Sequence, residues 1–235
     1  MKKTILTLVM SASIMFAMAT DLYVNGSGNA NTYPTIQGAV NASSSGDNIY
    51  VATVGTYSEN VTITNKSLFI IAAVADEEFT LSGSFILNPG TGNEVTIIGL
   101  YNGNVTASGY GTVNLISSFI SSISNTSGYL KMNVYDCEVA NSFYIDNGNV
   151  KGCTILGGLT INNDAGSTGD TIRIMGNHIE EGLTWQSSSA YFEICNNYIE
   201  NVGANNTSYA LRITALQSTP GGTNLIANNT IYSSS

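Results

Sequence analysis

The chain has 235 residues, of which only 10% are charged, and its formal net charge is −9. This acidity excludes nucleic acids and anionic membranes as electrostatic partners, because both carry dense negative charge. Disorder is excluded since 43% of the residues are hydrophobic, and the many β-branched and turn-forming residues disfavour a helical bundle.

Residues 1–19 predict a signal peptide. Two lysines near the start are followed by an apolar run over residues 5–18, and Ala17-Met18-Ala19 is a small-residue cleavage site. The alternative is a membrane anchor, but the apolar run is shorter than the ~20 residues that span a bilayer. We therefore expect residues 20–235 to form an exported domain, secreted or held at the cell surface, with no transmembrane span.

The first elements of this domain are predicted as a short helix and several strands. Residues 35–42 have their apolar side chains on one face of a helix. Strands are predicted at residues 48–51, 61–63 and 66–71. Because a solenoid needs a cap over its first coil, we expect the helix to cover the amino-terminal end.

A six-residue pattern recurs through the second half of the chain. It begins and ends with an apolar residue, and its copies start at residues 115, 134, 150, 174, 194 and 226. An average spacing of about 22 residues is typical of one coil of a parallel β-helix. We predict an all-β fold, a right-handed parallel β-helix solenoid with a short amino-terminal capping helix. The alternative is an antiparallel sandwich built from hairpins.

The third and fourth positions of the pattern predict how the coils bend and stack. The third holds Ser, Asp, Gly or Asn, which tolerate a positive φ where a strand turns sharply. The fourth holds Ser, Cys or Asn, so that coils ~4.8 Å apart would stack like side chains and let asparagines form an amide ladder. Cys137 and Cys153 occupy this position on adjacent coils. We expect a buried, reduced pair there, with a disulfide as the alternative.

Residues 35–73 carry a family resemblance. Their sequence, TIQGAVNASSSGDNIYVATVGTYSENVTI and then KSLFIIAA, resembles the opening of pectin-lyase-like right-handed β-helix proteins, including pectin methylesterases. The resemblance implies this solenoid for most of residues 22–232 and a scaffold role for Glu59. The aspartates, arginine and glutamines that the esterase branch uses do not occur here in its arrangement, which argues against esterase activity.

The aligned coils place several charged residues on one outer face. One predicted column contains Asn133, Asn149, Arg173 and Glu193. The candidates for catalysis or for binding an acidic sugar are Lys151, Asp170, Arg173, Glu193 and His178. The alternative is a solvated charge network, because oppositely charged neighbours across strands need no catalytic reason. His178 suits general acid or base chemistry, but the sequence shows no partner for it, so an exposed turn histidine is the alternative.

Acidic pairs and runs supply the candidate metal ligands, which are Asp76, Glu77, Glu78, Glu180 and Glu181. Carboxylate oxygens are the ligands that Ca²⁺ prefers. Ca²⁺ is therefore the ion that these residues would hold, and no other cofactor is expected. The alternative is a set of solvated loop carboxylates.

Two functions are compatible with these candidate residues. The leading hypothesis is a non-catalytic secreted or cell-surface β-helix that binds a glycan or another surface, because groups suited to catalysis are sparse. The alternative is a polysaccharide lyase or glycoside hydrolase that acts on an acidic polysaccharide. Ice binding is disfavoured because regular threonine arrays are missing. Rings for sugar stacking would come from Tyr101, Tyr110, Tyr129, Tyr135, Tyr144, Tyr191 and Tyr198. The alternative, which we favour for most of them, is that they are ordinary strand aromatics.

The carboxyl-terminal end carries a further expectation. The last copy of the pattern is followed by one strand and then by a run of serines that ends at Ser235. An open final coil would expose an aggregation-prone edge. We therefore expect the chain to continue beyond Ser235, or a partner to cover the last coil.

Overall fold

The structure is a computed structural model that describes residues 19–25, 31–127, 129–162, 170–201, 209–216 and 222–233. The predicted signal peptide, apart from Ala19, lies outside the described residues. Within the described part, the chain forms one short helix and a long series of strands.

The helix is α1 (Ile36–Ala42). The strands of the amino-terminal half are β1 (Asp21–Val24), β2 (Thr32–Tyr33), β3 (Asp47–Val51), β4 (Thr56–Tyr57), β5 (Val61–Thr64), β6 (Leu68–Ala72), β7 (Phe79–Leu81), β8 (Ser84–Asn88), β9 (Glu94–Ile98), β10 (Leu100–Ala107), β11 (Gly111–Ile116) and β12 (Phe119–Asn125). The strands that follow are β13 (Leu130–Tyr135), β14 (Glu138–Val139), β15 (Phe143–Ile145), β16 (Gly148–Lys151), β17 (Thr154–Ile155), β18 (Leu159–Ile161), β19 (Thr171–Met175), β20 (His178–Ile179), β21 (Leu183–Trp185), β22 (Tyr191–Cys195), β23 (Tyr198–Asn201), β24 (Leu211–Ile213), β25 (Leu225–Ala227) and β26 (Thr230–Ser233).

The strands form two parallel sheets that wrap around one core. The 11-stranded sheet, which we call face A, has the order β2-β1-β3-β6-β9-β11-β13-β16-β19-β22-β25. The 15-stranded sheet divides at β12, whose first residues pair with β14 and whose later residues pair with β15. We call the arm β14-β17-β20-β23-β26 face B and the arm β15-β18-β21-β24 face C.

The earlier coils extend both of these faces. Strands β4, β7 and the start of β10 continue face B, while β5, β8 and the rest of β10 continue face C. Each coil therefore passes through faces A, B and C in turn. The predicted all-β, right-handed parallel β-helix is confirmed, and the antiparallel sandwich is wrong because the named strands pair in parallel.

The core is a stack of apolar columns that run from coil to coil. Alternate residues of each strand point inward, and like residues meet because the register is kept from strand to strand. One column on face A, fully buried throughout, consists of Ile70, Ile97, Leu115, Val134, Val150, Ile174 and Ile194. Each coil thus buries its apolar residues against the next, as in other solenoids.

The bend between faces A and B has the predicted left-handed backbone. The third positions of the six-residue pattern have φ values of 46° to 70°, and they are Ser117, Asp136, Gly152, Gly176, Asn196 and Asn228. Glycine and short polar residues adopt this region with little strain. The left-handed backbone at the bend therefore explains why the third position holds glycine or a short polar residue.

The fourth positions form the predicted amide ladder. The Asn177 Nδ2 group donates to Asn197 Oδ1 at 2.9 Å, and Asn197 Nδ2 donates to Asn229 Oδ1 at 2.9 Å. Each of these amides also donates to a main-chain carbonyl of another coil, at Val150 for Asn177 and at Ile174 for Asn197. The ladder thus satisfies polar groups inside the bend, where burial without partners is costly.

Cys137 and Cys153 continue the same column as free, buried thiols. Burial raises the pKa of Cys137 to about 12 and that of Cys153 to about 11. The expectation of a buried, reduced pair agrees with this arrangement.

Helix α1 closes the amino-terminal end of the core. Thr35 caps it by accepting a hydrogen bond from the Gly38 N–H at 3.0 Å. The main-chain N–H groups of Ile36 and Gln37 donate to the Glu59 carboxylate at 2.8 and 2.9 Å. Glu59 therefore anchors the helix to the next coil, which agrees with a scaffold role. Among the described residues, no helix is long and apolar enough to cross a membrane.

The last described coil leaves core positions uncovered. Ile226 and Ile231 stand in columns whose earlier members are fully buried, yet they are 46% and 49% exposed. The expected continuation or covering partner stays a prediction.

Candidate functional site

The predicted column on face A is confirmed, and it contains an ion pair. Asn133, Asn149, Arg173 and Glu193 lie in register on successive strands. Arg173 Nε lies 2.8 Å from Glu193 Oε2, and both side chains are partly exposed. Exposed pairs of this kind contribute little to stability. Glu193 already neutralises the positive charge of Arg173, which a bound acidic sugar would need as its partner.

The other two candidates on this face stand apart from that pair. Lys151 lies in the neighbouring outward column, where it pairs with Tyr135 and Met175. The Asp170 Oδ2 atom accepts a hydrogen bond from Asn147 Nδ2 at 3.0 Å. Nothing in these contacts gathers Lys151, Asp170 and Arg173 around one point, so their catalytic role stays a prediction.

The asparagines of face A bond to one another along the outside of the solenoid. Asn149 Nδ2 donates to Asn133 Oδ1 at 2.7 Å, and Asn133 Nδ2 donates to Asn114 Oδ1 at 2.9 Å. Asn114 in turn donates to Thr96 Oγ1 at 3.1 Å. This external ladder makes the column a polar strip whose groups already have partners.

His178 has a partner that the sequence did not reveal. It lies in strand β20, where its Nε2 atom is 3.1 Å from Glu200 Oε1 on the next coil, and its ring packs edge-on against Tyr198. The carboxylate of Glu180 lies close to His178 and Glu200. Glu181 is exposed and forms an isolated antiparallel β-bridge with Asn201. The partner was missed because Glu200 lies beyond the end of the six-residue pattern.

A groove of about 930 Å³ lies along the corner between faces A and B. One wall is the loop 73–78, which contains the acidic run Asp76, Glu77 and Glu78. The loop packs close to the bend because residue 99 is glycine: a Cβ there would lie 2.8 Å from the Glu77 carbonyl oxygen. The acidic run is thereby placed beside the bends of the following coils.

The floor of the groove has a partly exposed aromatic stack. Tyr101 and Phe119 pair in register on face B, so their rings lie one above the other with centroids 5.0 Å apart and planes 27° apart. Tyr101 is 42% exposed, whereas Phe119 is half-buried. Both are outward positions of adjacent strands, where rings stack at the strand spacing.

Five carboxylates surround this stack. Asp136 and Glu138, from the bend and start of face B on the next coil, join the three acidic residues of the loop. None of the described residues that line the groove is Lys, Arg or His. Burial and the nearby Glu138 charge raise the pKa of Glu78 above its ordinary value. The groove therefore presents negative charge around an apolar platform.

The sequence indicated only the acidic run of this groove and not the residues that face it. The six-residue pattern includes Asp136 at a bend, Glu138 two residues later and Phe119 in the preceding coil, but it does not indicate that they share a site. They share the groove because the loop 73–78, whose position the pattern does not predict, lies at the corner beside them. Glu77 also accepts a hydrogen bond from Thr53 Oγ1 at 2.5 Å, so one carboxylate of the loop is already engaged.

A second exposed aromatic pair occurs elsewhere. Tyr110 and Tyr129 stack with centroids 5.2 Å apart and line a smaller groove of about 320 Å³. Its lining includes one acidic residue, Glu94. The pair is a natural comparison for the larger groove, since it has a similar ring stack with one carboxylate instead of five.

No family model, curated protein or solved structure matches the chain. The geometry of the groove is therefore the evidence for function. The chemistry available there is stacking on a ring platform, with carboxylates placed to accept hydrogen bonds from hydroxyl or ammonium groups.

Proposed function

We propose that the protein is a non-catalytic glycan-binding β-helix that holds a sugar chain in the groove over Tyr101 and Phe119. The observation that carries this proposal is the partly exposed, nearly parallel ring pair on the floor of an open groove. Sugar rings have apolar faces that pack on aromatic side chains, while their hydroxyl groups donate to the carboxylates around the edge. The groove volume is within the usual range for small-ligand sites, ~300–1,000 Å³.

The charge of the groove selects among glycans. Of the described residues, five acidic side chains and no basic one line it, so an acidic polysaccharide would meet like charge. A glycan that carries free amino groups would gain charge-assisted hydrogen bonds instead. We therefore favour a neutral or amino-sugar glycan, with the amino-sugar chain bound most tightly. This differs from the acidic substrate expected for a polysaccharide lyase.

Export and relationship form part of the same proposal. The segment 1–19 supports export to the cell surface or beyond. The sequence of residues 35–73 and the parallel coils support a place in the pectin-lyase-like superfamily. Amino-terminal sequencing of the exported protein should read Thr20 or Asp21 first; a protein that keeps residues 1–19 would contradict the export signal.

Calorimetric titration tests the binding. We would titrate chitosan, cellulose and polygalacturonate hexasaccharides into the chain. We expect chitosan to bind most tightly, with Tyr101→Ala weakening it about tenfold, which is 1.4 kcal/mol. Phe69→Ala is the matched control, because Phe69 is an outward strand aromatic that is 41% exposed and does not line the groove. Equal losses in the two variants, or tightest binding of polygalacturonate, would overturn the proposal.

One observation favours a second candidate, a glycoside hydrolase. Glu78 has a raised pKa and lies near Glu138 beside the same ring pair. Hydrolases pair a protonated carboxylic acid with an ionised carboxylate across the scissile bond. This candidate predicts release of reducing sugar that Glu78→Gln and Glu138→Gln each abolish while Glu77→Gln does not. Binding without any release supports the non-catalytic function.

A further inference from the structure

A second cluster of chemically active side chains lies on face B, beyond the groove. His178 and Glu180 are two residues apart on one coil, so both point outward. Glu200 lies beside Glu180 on the next coil, because Ile179 pairs with Ile199. The ligand atoms of His178, Glu180 and Glu200 all lie within 4.8 Å of one another. We propose that these three residues form a site for one divalent transition-metal ion of the zinc type.

An ion pair alone does not account for the cluster. His178 Nε2 and Glu200 Oε1 are 3.1 Å apart, which would suffice for a simple pair. Glu180, however, adds a second carboxylate beside Glu200, and like charges placed opposite one another across strands are destabilising. A bound cation removes that repulsion and uses all three groups at once.

The ligand set favours zinc over calcium. Zn²⁺ accepts imidazole nitrogen together with carboxylate oxygen, and sites with three protein ligands leave a position open to water or a ligand. Ca²⁺ instead takes six to eight oxygen ligands, and this cluster offers an imidazole and two carboxylates. The proposal differs from a Ca²⁺ site at Glu180 and Glu181, because Glu181 is not in the cluster.

Tyr198 is placed to hold the ligands in position. Its ring packs edge-on against the His178 imidazole, with centroids 5.0 Å apart and planes 77° apart. Its hydroxyl donates to Glu200 Oε2 at 3.3 Å. Groups that orient ligands in this way tune metal affinity without touching the ion, so Tyr198 is a positioning residue.

The test is a metal titration of the untagged chain, since a histidine tag would bind the same ions. We would titrate ZnCl₂ by calorimetry and follow Co²⁺ by its visible absorption, which reports the coordination of the ion. We expect one Zn²⁺ per chain, and affinity reduced more than about 100-fold by His178→Ala or Glu180→Gln. Tyr198→Phe should reduce it about tenfold, as changes around metal ligands do.

Glu181→Gln is the matched control for Glu180→Gln. It removes the same charge one residue away, from an exposed side chain outside the cluster, and should leave the affinity unchanged. Absence of one-to-one Zn²⁺ binding by the unaltered chain would overturn the proposal. Equal losses in the Glu180 and Glu181 variants would do the same, because they would indicate a general effect of negative charge. Far-ultraviolet circular dichroism confirms that each variant keeps its strands, and the isosteric Glu180→Gln gives the result should His178→Ala misfold.

Discussion

Individual side chains at the bend between faces A and B decide where one strand ends and the next begins. Asn196 and Asn228 tolerate the left-handed backbone there, with φ values of 58° and 55°. The next residue of each pattern, such as Asn197, turns its amide into the stack and bonds to both neighbouring coils. Both roles were visible in the sequence because they depend on residue type and spacing alone.

The internal ladder should contribute more stability than the external one. Asn197→Ala would leave the Asn177 amide and the Ile174 carbonyl without their present partner inside the bend. Since an unsatisfied buried polar group costs about 1–3 kcal/mol, we expect the free energy of unfolding to fall by at least about 2 kcal/mol in urea denaturation. Asn149→Ala is the control: it removes one bond of the partly exposed external ladder and should lower it by less than about 1 kcal/mol. Equal effects would contradict the ladder's structural role.

The buried thiols predict a pH dependence. Burial raises the pKa of Cys137 to about 12 and of Cys153 to about 11, whereas an unfolded cysteine ionises near pH ~8.5. Below that pH both states are protonated and the thiols have no effect. Above it the unfolded state gains thiolates and the folded state does not, so the free energy of unfolding should fall as the pH rises from about 8.5 towards the folded-state pKa values of about 11 and 12.

Urea midpoints measured across this pH range check the sign. A variant with Cys137→Ala and Cys153→Ala should show a smaller fall than the unaltered chain, whatever its stability at pH 7. Native alkylation by iodoacetamide should also be much slower than alkylation in urea. A fall of the same size in the alanine variant would contradict the assignment.

Elements rather than single residues build the groove. Strands β10 and β12 place the rings, and the loop 73–78 brings the acidic wall against them. The strands could be predicted because apolar alternation and bends mark each coil. The wall could not, because nothing in the alternation says in which direction a loop folds, and the close packing depends on the absence of a side chain at Gly99.

Gly99→Ala tests how the wall is held. The new Cβ would meet the Glu77 carbonyl and the Ala72 side chain within 3 Å, at a backbone φ of 75°. We expect a loss of about 1–3 kcal/mol in the free energy of unfolding, together with weaker glycan binding as the loop moves outward. Gly176→Ala is the control, since its φ is 68° and no atom lies within 4 Å of the added Cβ. It should cost only the backbone strain, about 1–2 kcal/mol, and leave binding intact.

The solenoid gathers its few charged residues into local clusters. A chain with only 7 basic and 16 acidic residues places five carboxylates around one groove, and an imidazole with two more carboxylates in a separate cluster. Parallel stacking accounts for this, because outward residues of successive coils fall in columns. Composition alone could therefore exclude polyanionic partners. The positions of the candidate sites could not be predicted from composition, because they depend on which columns the loops cover.

We expect the groove over Tyr101 and Phe119 to bind a glycan, and a crystal structure of the chain with chitosan hexasaccharide tests this binding. We expect a sugar ring packed against the two aromatic rings, with its amino groups bonded to carboxylates of the groove. A sugar bound at the Tyr110 and Tyr129 pair instead, or an empty groove at saturating oligosaccharide, would contradict the claim.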